Sequence, residues 1–369
     1  MSGRRIPFMS LVPGEDAADV RLAIDRVVAR GWFVLGPEVG AFEQEFAAAS
    51  GAAHAVGVGT GTDAIALILR ALGIGAGDEV ITSPLSAAYS ALAIMMAGAR
   101  PVFADVDARR ATIDPARIEE RIGPRTRAIM PVHLYGQPAD MAAIERIASR
   151  HQLAIVEDCC QAHLATADGR PVGTIGAAGA FSFYPTKNLG ALGDGGAIVT
   201  NDAALCERLK RLRNGGQTDR YHHLEAGINS RLDDMQAAIL RARLPRLQGW
   251  TGRRRALAAR YRARLAGAPV ELLPERDHGH VYHLFVVISG DRDGLQAHLA
   301  SRGIETLIHY PMPIPSQPAL QSQNPDDCPV AARLCGGILS LPLHPALRDD
   351  EIDEIAAAVH AFQPRAVAS

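Results

Sequence analysis

The chain contains 369 residues, of which 48% are hydrophobic, and its formal net charge is −2. This length exceeds the usual size of one domain, so we expect a globular protein with one large and one smaller domain. A net charge near zero offers no overall attraction to nucleic acid or to anionic lipid. Five cysteines, an odd number, do not form a disulfide framework, the N-terminus lacks the apolar core of a signal peptide, and no apolar run is long enough to span a membrane. We therefore expect a cytoplasmic protein without nucleic-acid or membrane partners.

Short apolar runs alternate with helical patterns through the first part of the chain. The predicted strands, in chain order, are "HAVGVG", "DEVITSP", "RPVFADV", "RAIMPV", "LAIVED", "GAFSFY" and "GAIVTN". The helical patterns between them include "TDAIALILRAL", "SALAIMMAGA" and "MAAIERIASR". Strands that alternate with helices favour a mostly parallel sheet covered by helices on both faces. The expected fold class is therefore α/β.

The pattern changes in the C-terminal part. A long helical stretch is predicted from about Leu232 to Leu265, followed by the strand "HLFVVISG", the helix "DGLQAHLASRG" and a last helix in "LRDDEIDEIAAAV". We therefore divide the chain into an N-terminal segment with a large domain, residues 1–249, and a smaller C-terminal α/β domain, residues 250–369. The proline-rich segment from His309 to Pro318 is predicted to be a loop, because successive prolines remove backbone donors.

A locally basic segment, "RRRALAARYRAR", runs from Arg253 to Arg264. We interpret it as the solvated face of a long helix. The alternative is a nucleic-acid-binding regulator, which predicts strongly salt-dependent binding to DNA or RNA. Nothing in that alternative requires the segments considered next.

Lysine is rare in this chain. Of its 38 lysine and arginine residues, only Lys187 and Lys210 are lysines. Arginine stays protonated, whereas burial lowers the pKa of a lysine and leaves an amine that can attack a carbonyl group. Lys210 lies in the charged helical pattern "LCERLKRLRN" and is interpreted as a surface charge. Lys187 lies between an apolar segment and a glycine-rich run, so it is a candidate nucleophile, with a solvated surface charge as the alternative.

In the segment "GVGTGTDAIAL", a predicted strand ends in glycines and a helix begins. A helix N-terminus presents free N–H groups and the positive end of its dipole, so Thr62 and Asp63 are candidates for a phosphate site. Either residue could instead be the N-cap of the helix. The glycines also match a dinucleotide pattern, which indicates a nicotinamide-dependent oxidoreductase. That alternative needs an acidic residue after the next strand, which ends in Ser83 and Pro84 instead.

In the segment "VEDCCQAH", an apolar strand ends at Asp158. Open α/β sheets bind ligands at this end of their strands. The carboxylate could cap a helix, ligate a metal or pair with a cation of a ligand. A metal is the weakest alternative, because Asp158 and His163 have no recognisable ligand spacing and the chain contains no HExxH or CxxC pattern. No metal is expected.

A lysine, a strand-end aspartate and a helix N-terminus suited to phosphate together match one cofactor, pyridoxal 5′-phosphate (PLP). Its aldehyde condenses with a lysine, its pyridinium nitrogen pairs with a carboxylate, and its phosphate accepts hydrogen bonds from N–H and hydroxyl groups. The predicted cofactor is therefore PLP.

The sequence also resembles the sugar aminotransferases of the DegT/DnrJ/StrS type over nearly the whole chain. The resemblance rests on an ordered set of motifs: "GTDAIAL", "PVFADVD", "MPVHLYGQPADM", "EDCCQAH", "GAFSFYPTKNLGALGDGGAIVTND", "GINSRLDDMQAAIL", "IHYPMP" and "LSLPLHP". It implies the PLP-dependent transferase fold type I. It also implies transfer of an amino group, expected from L-glutamate, to a keto-sugar nucleotide.

The resemblance implies roles for three residues at the reacting end of the cofactor. Lys187 would be the Schiff-base lysine and later the general base that moves a proton between the cofactor and substrate carbons. Asp158 would pair with the pyridine nitrogen, and Gln161 would lie near the phenolic oxygen of the ring.

At the other end of the cofactor, the resemblance implies that Ser182, with Thr62 and Asp63, holds the phosphate. Asn229 resembles the asparagine that reaches the phosphate from the neighbouring subunit, which implies a homodimer with shared active sites. Considered alone, Asn229 could be a cap of the helix "RLDDMQAAIL".

The resemblance further implies that Tyr184, His309 and Tyr310 contact the substrate. Tyr184 could instead be a half-buried strand aromatic. The stretch "FSFYPTKNLGALGDGGA" looks more like that of enzymes that aminate carbon 3 of a dTDP-3-keto-6-deoxyhexose than that of enzymes that aminate carbon 4. The 3-keto sugar is therefore the expected substrate, with the 4-keto isomer as the alternative.

The sequence departs from the family at two positions. Ala88 stands where the family usually stacks an aromatic residue on the cofactor ring, and Tyr89 follows one residue later. Pro315 stands where the proline-rich loop often carries a histidine. The residue that covers the ring and the substrate contacts of this loop are therefore open.

Overall fold

The structure is a computed structural model that describes residues 5–320 and 327–364. The α-helices of these residues are α1 (Ala17–Arg30), α2 (Pro37–Ala49), α3 (Gly61–Ala71), α4 (Tyr89–Met96), α5 (Pro115–Glu119), α6 (Met141–His151), α7 (Ala203–Leu212), α8 (Asp234–Arg243), α9 (Leu247–Arg264), α10 (Arg292–Ser301), α11 (Pro329–Gly337) and α12 (Asp349–His360).

The strands of the same residues are β1 (His54–Val58), β2 (Glu79–Thr82), β3 (Arg100–Phe103), β4 (Thr126–Met130), β5 (Ala154–Asp158), β6 (Thr166–Ala167), β7 (Arg170–Pro171), β8 (Ala178–Ser182), β9 (Gly196–Thr200), β10 (Gln217–Asp219), β11 (His222–His223), β12 (Glu271–Leu272), β13 (Phe285–Ile288) and β14 (Ile338–Leu341). The seven predicted strands of the first part correspond to β1 to β5, β8 and β9.

The largest sheet has seven strands in the order β1, β9, β8, β5, β4, β2, β3. The pairs from β8 through β5, β4 and β2 to β3 are all parallel. Strand β9 is antiparallel to both of its neighbours, β8 and β1. The expected mostly parallel sheet is therefore confirmed, with one reversed strand that the hydrophobic pattern did not predict.

Successive residues of the central strands point to opposite faces of this sheet, and each face has its own apolar core. On β4, Ala128 and Met130 pack on the face covered by α3, α4 and α7. Ile129 packs on the opposite face with residues of α2, α6 and α8. Both faces are therefore buried, which explains why these strands are apolar throughout rather than alternating.

A second, antiparallel sheet of β12, β13 and β14 lies in the C-terminal part. Its core includes residues of α9, α10 and α12, and also Ile6 from the N-terminal segment. The boundary expected at residue 250 falls inside α9, whose Leu247 belongs to the core of the large sheet and whose Tyr261 belongs to the core of the second sheet. Division into two domains remains a prediction, and α9 is the element that joins the two cores.

The long helix predicted from Leu232 to Leu265 is two helices, α8 and α9, separated by a single 3₁₀ turn from Leu244 to Arg246. Pro245 lies in this turn, where it has no N–H to donate to a helix. The proline-rich segment contains two short 3₁₀ turns, Ile314–Ser316 and Pro318–Leu320, and is otherwise irregular.

The basic segment of α9 is not a solvated face throughout. Arg254 is buried and donates to the backbone carbonyl of Leu343 at 2.8 Å. Arg260 and Arg264 both pair with Asp353 on α12. The interpretation as a solvated helix face is therefore wrong for Arg254, and much of the remaining charge is neutralised by α12.

Within the described part of the chain, no helix combines the length and the apolar character needed to cross a membrane.

Candidate active site

Three elements of the large sheet converge at one point. Asp158 ends β5, Ser182 ends the parallel neighbour β8, and Gly61 begins α3. A side chain at Gly61 has no room, because its Cβ would lie 2.7 Å from Cys160 Sγ and 2.8 Å from Ser182 Cβ. The N-terminus of α3 therefore lies directly against the carboxyl ends of β5 and β8.

The start of α3 is capped by a residue that the sequence analysis did not single out. The hydroxyl of Thr60 accepts a hydrogen bond from the Asp63 N–H at 3.0 Å, so the alternative of Thr62 or Asp63 as the N-cap is wrong. The Asp63 carboxylate accepts from the Ser230 hydroxyl at 2.7 Å. The Thr62 hydroxyl makes no hydrogen bond within the described residues. It is therefore available to a ligand at the helix N-terminus.

Asp158 is buried and held in one orientation. One carboxylate oxygen accepts from the Ser90 hydroxyl at 2.7 Å, and the other accepts from the Cys160 backbone N–H at 3.1 Å. The Ser86 hydroxyl lies 3.2 Å from that of Ser90. Neither serine was among the predicted site residues, although their spacing of four residues in "SPLSAAYS" places them on one side of a helical turn.

Lys187 lies in a turn after β8, where its backbone N–H donates to the Tyr184 carbonyl at 2.8 Å. Burial lowers the pKa of its amine, while the nearby Cys160 and Asp158 act in the opposite direction. Its Nζ makes no hydrogen bond or salt bridge within residues 5–320 and 327–364. Lys187 is therefore a poorly solvated amine close to a fixed carboxylate, and the alternative of a solvated surface charge is wrong.

The other lysine has a different environment. Lys210 lies on α7 and pairs with Glu207 at 2.8 Å. This hydrogen bond raises the pKa of Lys210. The prediction of a surface charge is confirmed for Lys210, so the two lysines of the chain are clearly distinguished.

Gln161 connects this centre to the C-terminal part. Its Nε2 donates to the Tyr310 hydroxyl at 3.0 Å, and its Oε1 accepts from the Tyr135 backbone N–H at 2.7 Å. Burial and the charge of Lys187 lower the pKa of the neighbouring His309 to about 4. The structure therefore brings Gln161, His309 and Tyr310 to the same site as Lys187.

Two of the expected site residues, Tyr184 and Asn229, make no side-chain hydrogen bond within the described residues. Tyr184 lies beyond the end of β8 with 52% of its surface exposed, so the alternative of a half-buried strand aromatic is wrong. Asn229 is exposed, and its side chain makes no hydrogen bond within the described residues. It does not cap α8, whose N-cap is Asp233. Within the described residues, neither side chain makes a hydrogen bond to the other expected site residues.

The first departure from the family pattern lies at the start of α4. Ala88 is the N-cap and Tyr89 the first residue, with a side chain that is 65% exposed. The next residue, Ser90, contacts Asp158. Tyr89 is therefore one residue from a side chain that contacts Asp158, and most of its ring is exposed. Pro315, the second departure, is buried in a 3₁₀ turn.

A cavity of about 890 Å³ opens beside the site. Its walls include Thr186, which precedes the candidate nucleophile, together with His283 and His309. The N-terminal segment contributes Phe8 and Met9. Ligand sites are typically clefts of about 300 to 1,000 Å³, so the cavity is large enough for a substrate.

One cluster of the described residues has the composition of a metal site. Ligand atoms of His133, Glu157 and Cys159 lie within 4.8 Å of one another. The Glu157 carboxylate, however, accepts from His133 and from three backbone N–H groups between Gly173 and Gly176. Because these donors already occupy the carboxylate, the cluster is explained as a buried hydrogen-bond network.

The groups at this point fit PLP. The amine of Lys187 is unpaired within the described residues, and Asp158 provides a fixed carboxylate. The N-terminus of α3 offers N–H groups next to the hydroxyls of Thr62 and Ser182. Each polar part of the cofactor therefore has a matching group on one edge of the sheet.

Comparison with known proteins agrees with this geometry. The sequence profile of the DegT/DnrJ/EryC1/StrS aminotransferase family matches residues 15–360. The dTDP-3-amino-3,4,6-trideoxy-alpha-D-glucose transaminase of Streptomyces venezuelae is 48% identical over 367 residues, which cover 98% of this chain and 97% of that protein.

Solved structures give the same result. The crystal structure of S. venezuelae DesV has a TM-score of 0.93 at 48% identity, covering 96% of this chain and 98% of that chain. The crystal structure of NtdA from Bacillus subtilis with bound cofactor PMP, the amino form of PLP, has a TM-score of 0.88 at 30% identity, covering 97% and 86%. The cofactor of the protein is therefore PLP, and the chain belongs to the DegT/DnrJ/EryC1/StrS aminotransferase family.

Proposed function

We propose that this PLP-dependent aminotransferase moves an amino group from L-glutamate to carbon 3 of a dTDP-3-keto-6-deoxyhexose. The observation that carries the amino transfer is the partly buried amine of Lys187 beside the fixed carboxylate of Asp158. The choice of sugar rests on the S. venezuelae relative, whose name specifies a 3-amino sugar linked to dTDP.

Lys187 is the proposed catalytic base. When bound, PLP supplies an aldehyde that condenses with amines and a ring that withdraws electrons from the carbon that loses its proton. Burial lowers the pKa of Lys187, so its Nζ spends more time as the neutral amine that can accept this proton. The same Nζ is proposed to return the proton, so that it moves between cofactor and substrate carbons. Within the described residues, Nζ makes no hydrogen bond that would compete with this transfer.

Asp158 and the start of α3 are the proposed anchors of the cofactor. Because Ser90 and the Cys160 N–H fix both carboxylate oxygens, Asp158 can hold a proton on the ring nitrogen without reorienting. Thr62 and Ser182 supply hydroxyl donors to the phosphate at the positive end of α3. Gln161, which donates one Nε2 N–H to the Tyr310 hydroxyl, is proposed to lie near the phenolic oxygen of the ring.

The cavity of about 890 Å³ is the proposed space for the sugar nucleotide. His309, whose pKa is lowered to about 4, is neutral at physiological pH, and burial raises the pKa of Tyr310 so that its hydroxyl keeps its proton. Neutral donors and acceptors of this kind suit sugar hydroxyls. The exposed ring of Tyr184 lies beside Lys187 in sequence, where it could contact the sugar or the diphosphate.

The protein is proposed to act as a homodimer with shared sites. The exposed Asn229 is one support, because its side chain has no partner within the described part of one chain. A second support is a set of large exposed apolar side chains, which a partner would cover. They include Trp32, Phe33, Val34, Tyr221 and Leu224.

Five free cysteines fit the proposed cytoplasmic location.

The test is turnover with a panel of substrates. The purified protein with PLP and glutamate should release 2-oxoglutarate faster with a dTDP-3-keto-6-deoxyhexose than with the 4-keto isomer. Lys187→Ala should abolish release, while the matched control Lys210→Ala should leave it unchanged. An amine at carbon 4 of the product would overturn the substrate and support the 4-keto alternative. No turnover of any keto-sugar nucleotide would overturn the proposed function.

A further inference from the structure

Tyr135 is a buried residue at which three segments meet. Its backbone N–H donates to Gln161 Oε1 at 2.7 Å, and its backbone carbonyl accepts from the His283 N–H at 2.8 Å. Its hydroxyl donates to the backbone carbonyl of His309. Gln161 lies in the turn that follows β5 of the large sheet, whereas residues 283 and 309 belong to the C-terminal part. One residue thus joins the cofactor side of the site to the proposed substrate side.

The local backbone shows that this arrangement is tightly determined. Tyr135 has a φ of 59° and the following Gly136 a φ of 90°. A Cβ on Gly136 would lie 2.8 Å from Val281 Cγ2 and 3.0 Å from the His283 nitrogen. Only glycine permits both this conformation and this close approach. The turn is therefore pressed against residues 281–283, and the side chain of Tyr135 is directed by a backbone with little freedom.

The hydroxyl of Tyr135 is suited to permanent donation. Burial raises its pKa far above the usual value, so the group keeps its proton. The ring packs in an apolar cluster with Leu284 and Val286 of the C-terminal part, where water does not compete for the hydrogen bond. The carbonyl that accepts from Tyr135 belongs to His309, and Tyr310 is the next residue.

We infer that Tyr135 is a positioning residue that fixes His309 and Tyr310 against the cofactor site through its hydrogen bond to the His309 carbonyl. It does not touch the substrate itself. Gln161, oriented by the backbone of Tyr135, holds the Tyr310 hydroxyl from the opposite side. The inference rests on the proposed contact of His309 and Tyr310 with the sugar nucleotide.

The test is Tyr135→Phe. This change keeps the backbone bonds to Gln161 and His283 and removes only the donor to His309. The matched control is Tyr261→Phe, because Tyr261 is also fully buried and donates its hydroxyl to a backbone carbonyl, that of Pro342 at 2.9 Å, within the core of the second sheet. The two variants lose the same kind of bond, but only one of those bonds reaches the site.

Two measurements are needed. In hydrogen exchange of the purified protein, with and without PLP, the peptide covering residues 307–312 should exchange faster in Tyr135→Phe than in Tyr261→Phe. In steady-state kinetics, Tyr135→Phe should raise the KM for the sugar nucleotide about tenfold, the factor that one hydrogen bond of typical strength contributes. Its kcat should stay within about twofold, and its affinity for PLP should not change, because every group proposed to hold the cofactor is intact.

The outcomes distinguish the contact of Tyr135 with His309 from the proposed contact of His309 and Tyr310 with the substrate. Equal exchange in both variants overturns the inference, because the lost bond would then act only through general stability. Faster exchange with an unchanged KM also overturns it, but through the proposed substrate contact of His309 and Tyr310 rather than through the contact of Tyr135. A loss of PLP affinity in Tyr135→Phe would contradict it as well, since positioning of the substrate loop would not be the role of the hydroxyl.

Discussion

At the scale of single residues, the histidines near Lys187 have lowered pKa values. Burial lowers the pKa of His163 to about 3, and that of His309 to about 4, with the charge of Lys187 contributing in both cases. Both imidazoles are therefore neutral at physiological pH. Burial lowers the pKa of Lys187, and the nearby Cys160 and Asp158 act in the opposite direction. This balance suits a group that must both accept and return a proton.

We expect Asp158→Asn to bind PLP but to slow proton abstraction from glutamate by about a thousandfold or more. The amide can still accept from Ser90, so the fold should survive, but it cannot stabilise a positive charge on the ring nitrogen. Single-turnover kinetics measures this step. Ser90→Ala is the graded comparison: it should slow the step by about tenfold, because the carboxylate stays and loses one donor. Unchanged rates in Asp158→Asn would mean that another residue pairs with the nitrogen.

The residues of the site were only partly predictable. Lys187 and Asp158 were identifiable because lysine is rare in this chain and because a strand-end acid is placed by the sheet. Ser90 and Tyr135 could not be identified in this way, since a serine on a helix and a buried tyrosine both occur for many structural reasons. Their partners, Asp158 and His309, lie 68 and 174 residues away in the chain. Contacts over such separations depend on the fold and leave no local pattern.

At the scale of elements, the N-terminus of α3 is the proposed phosphate site, and Gly61 lets it approach β5 and β8. The strands themselves were predictable, because both faces of the sheet are buried and the strands are continuously apolar. The reversal of β9 was not predicted. The connection from Phe183 to Gly195 contains Lys187 but no helix, and parallel neighbours usually need a helical crossover. The loop that carries Lys187 is therefore also the reason for the reversed strand.

Gly61→Ala should weaken PLP binding by about tenfold or more. The added methyl group would meet Cys160 Sγ at 2.7 Å and Ser182 Cβ at 2.8 Å, so α3 must move away from the proposed phosphate donors. Titration of the apoprotein with PLP, followed by absorbance, measures the affinity. Gly252→Ala on α9 is the control, because a Cβ there meets no atom within 4 Å. Equal PLP affinity in both variants would exclude α3 as the phosphate site.

An acid-dependent contact joins α1, α2 and α8. Glu38 is only 2% exposed and accepts from Arg26, Arg30 and Arg241, and these bonds, that of Arg26 foremost, lower its pKa to about 2. Because the pKa of Glu38 is lower in the folded state, the ionised carboxylate stabilises the fold at pH values above the unfolded pKa of 4.5. This stabilisation is lost as the pH falls towards about 2.

We therefore expect Glu38→Gln to lower the stability by about 3 kcal/mol at pH 7, and by progressively less as the pH falls below about 4.5. Thermal unfolding at a series of pH values measures the difference. Glu45→Gln is the control, since Glu45 pairs with the same Arg241 but its side chain is 40% exposed; it should change the stability by under about 1 kcal/mol. A pH-independent difference for Glu38→Gln would contradict the account.

At the scale of the whole molecule, the site combines two parts of the chain and, in the proposed dimer, a segment of the partner. The part of the chain that forms the large sheet provides Asp158, at the end of β5, and Lys187, in the loop after β8, while the C-terminal part provides His309 and Tyr310. The partner is proposed to provide Asn229. Sequence patterns predicted the two α/β parts but placed their boundary inside α9, because a helix shared by two cores has no change of pattern at the border.

Mixing two inactive variants tests the shared site. Subunits with Lys187→Ala and subunits with Asn229→Ala should each have low activity alone. In a heterodimer, one site would carry both changes and the other neither, so random exchange should restore about a quarter of the wild-type activity. Mass spectrometry of the intact dimers checks that exchange has occurred. No recovery despite exchange would show that each site is built within one chain.

The central claim is that Lys187 is the residue that holds PLP. Borohydride reduction fixes the cofactor to the amine that carries it, and tandem mass spectrometry of the digested protein then locates that amine. The chain offers only two lysines for this label, Lys187 and Lys210, besides its N-terminal amine. We predict that the added mass lies on the peptide containing Lys187 and is absent from that peptide when reduction is omitted. A label on Lys210 or on the N-terminal amine, with Lys187 unmodified, would contradict the account.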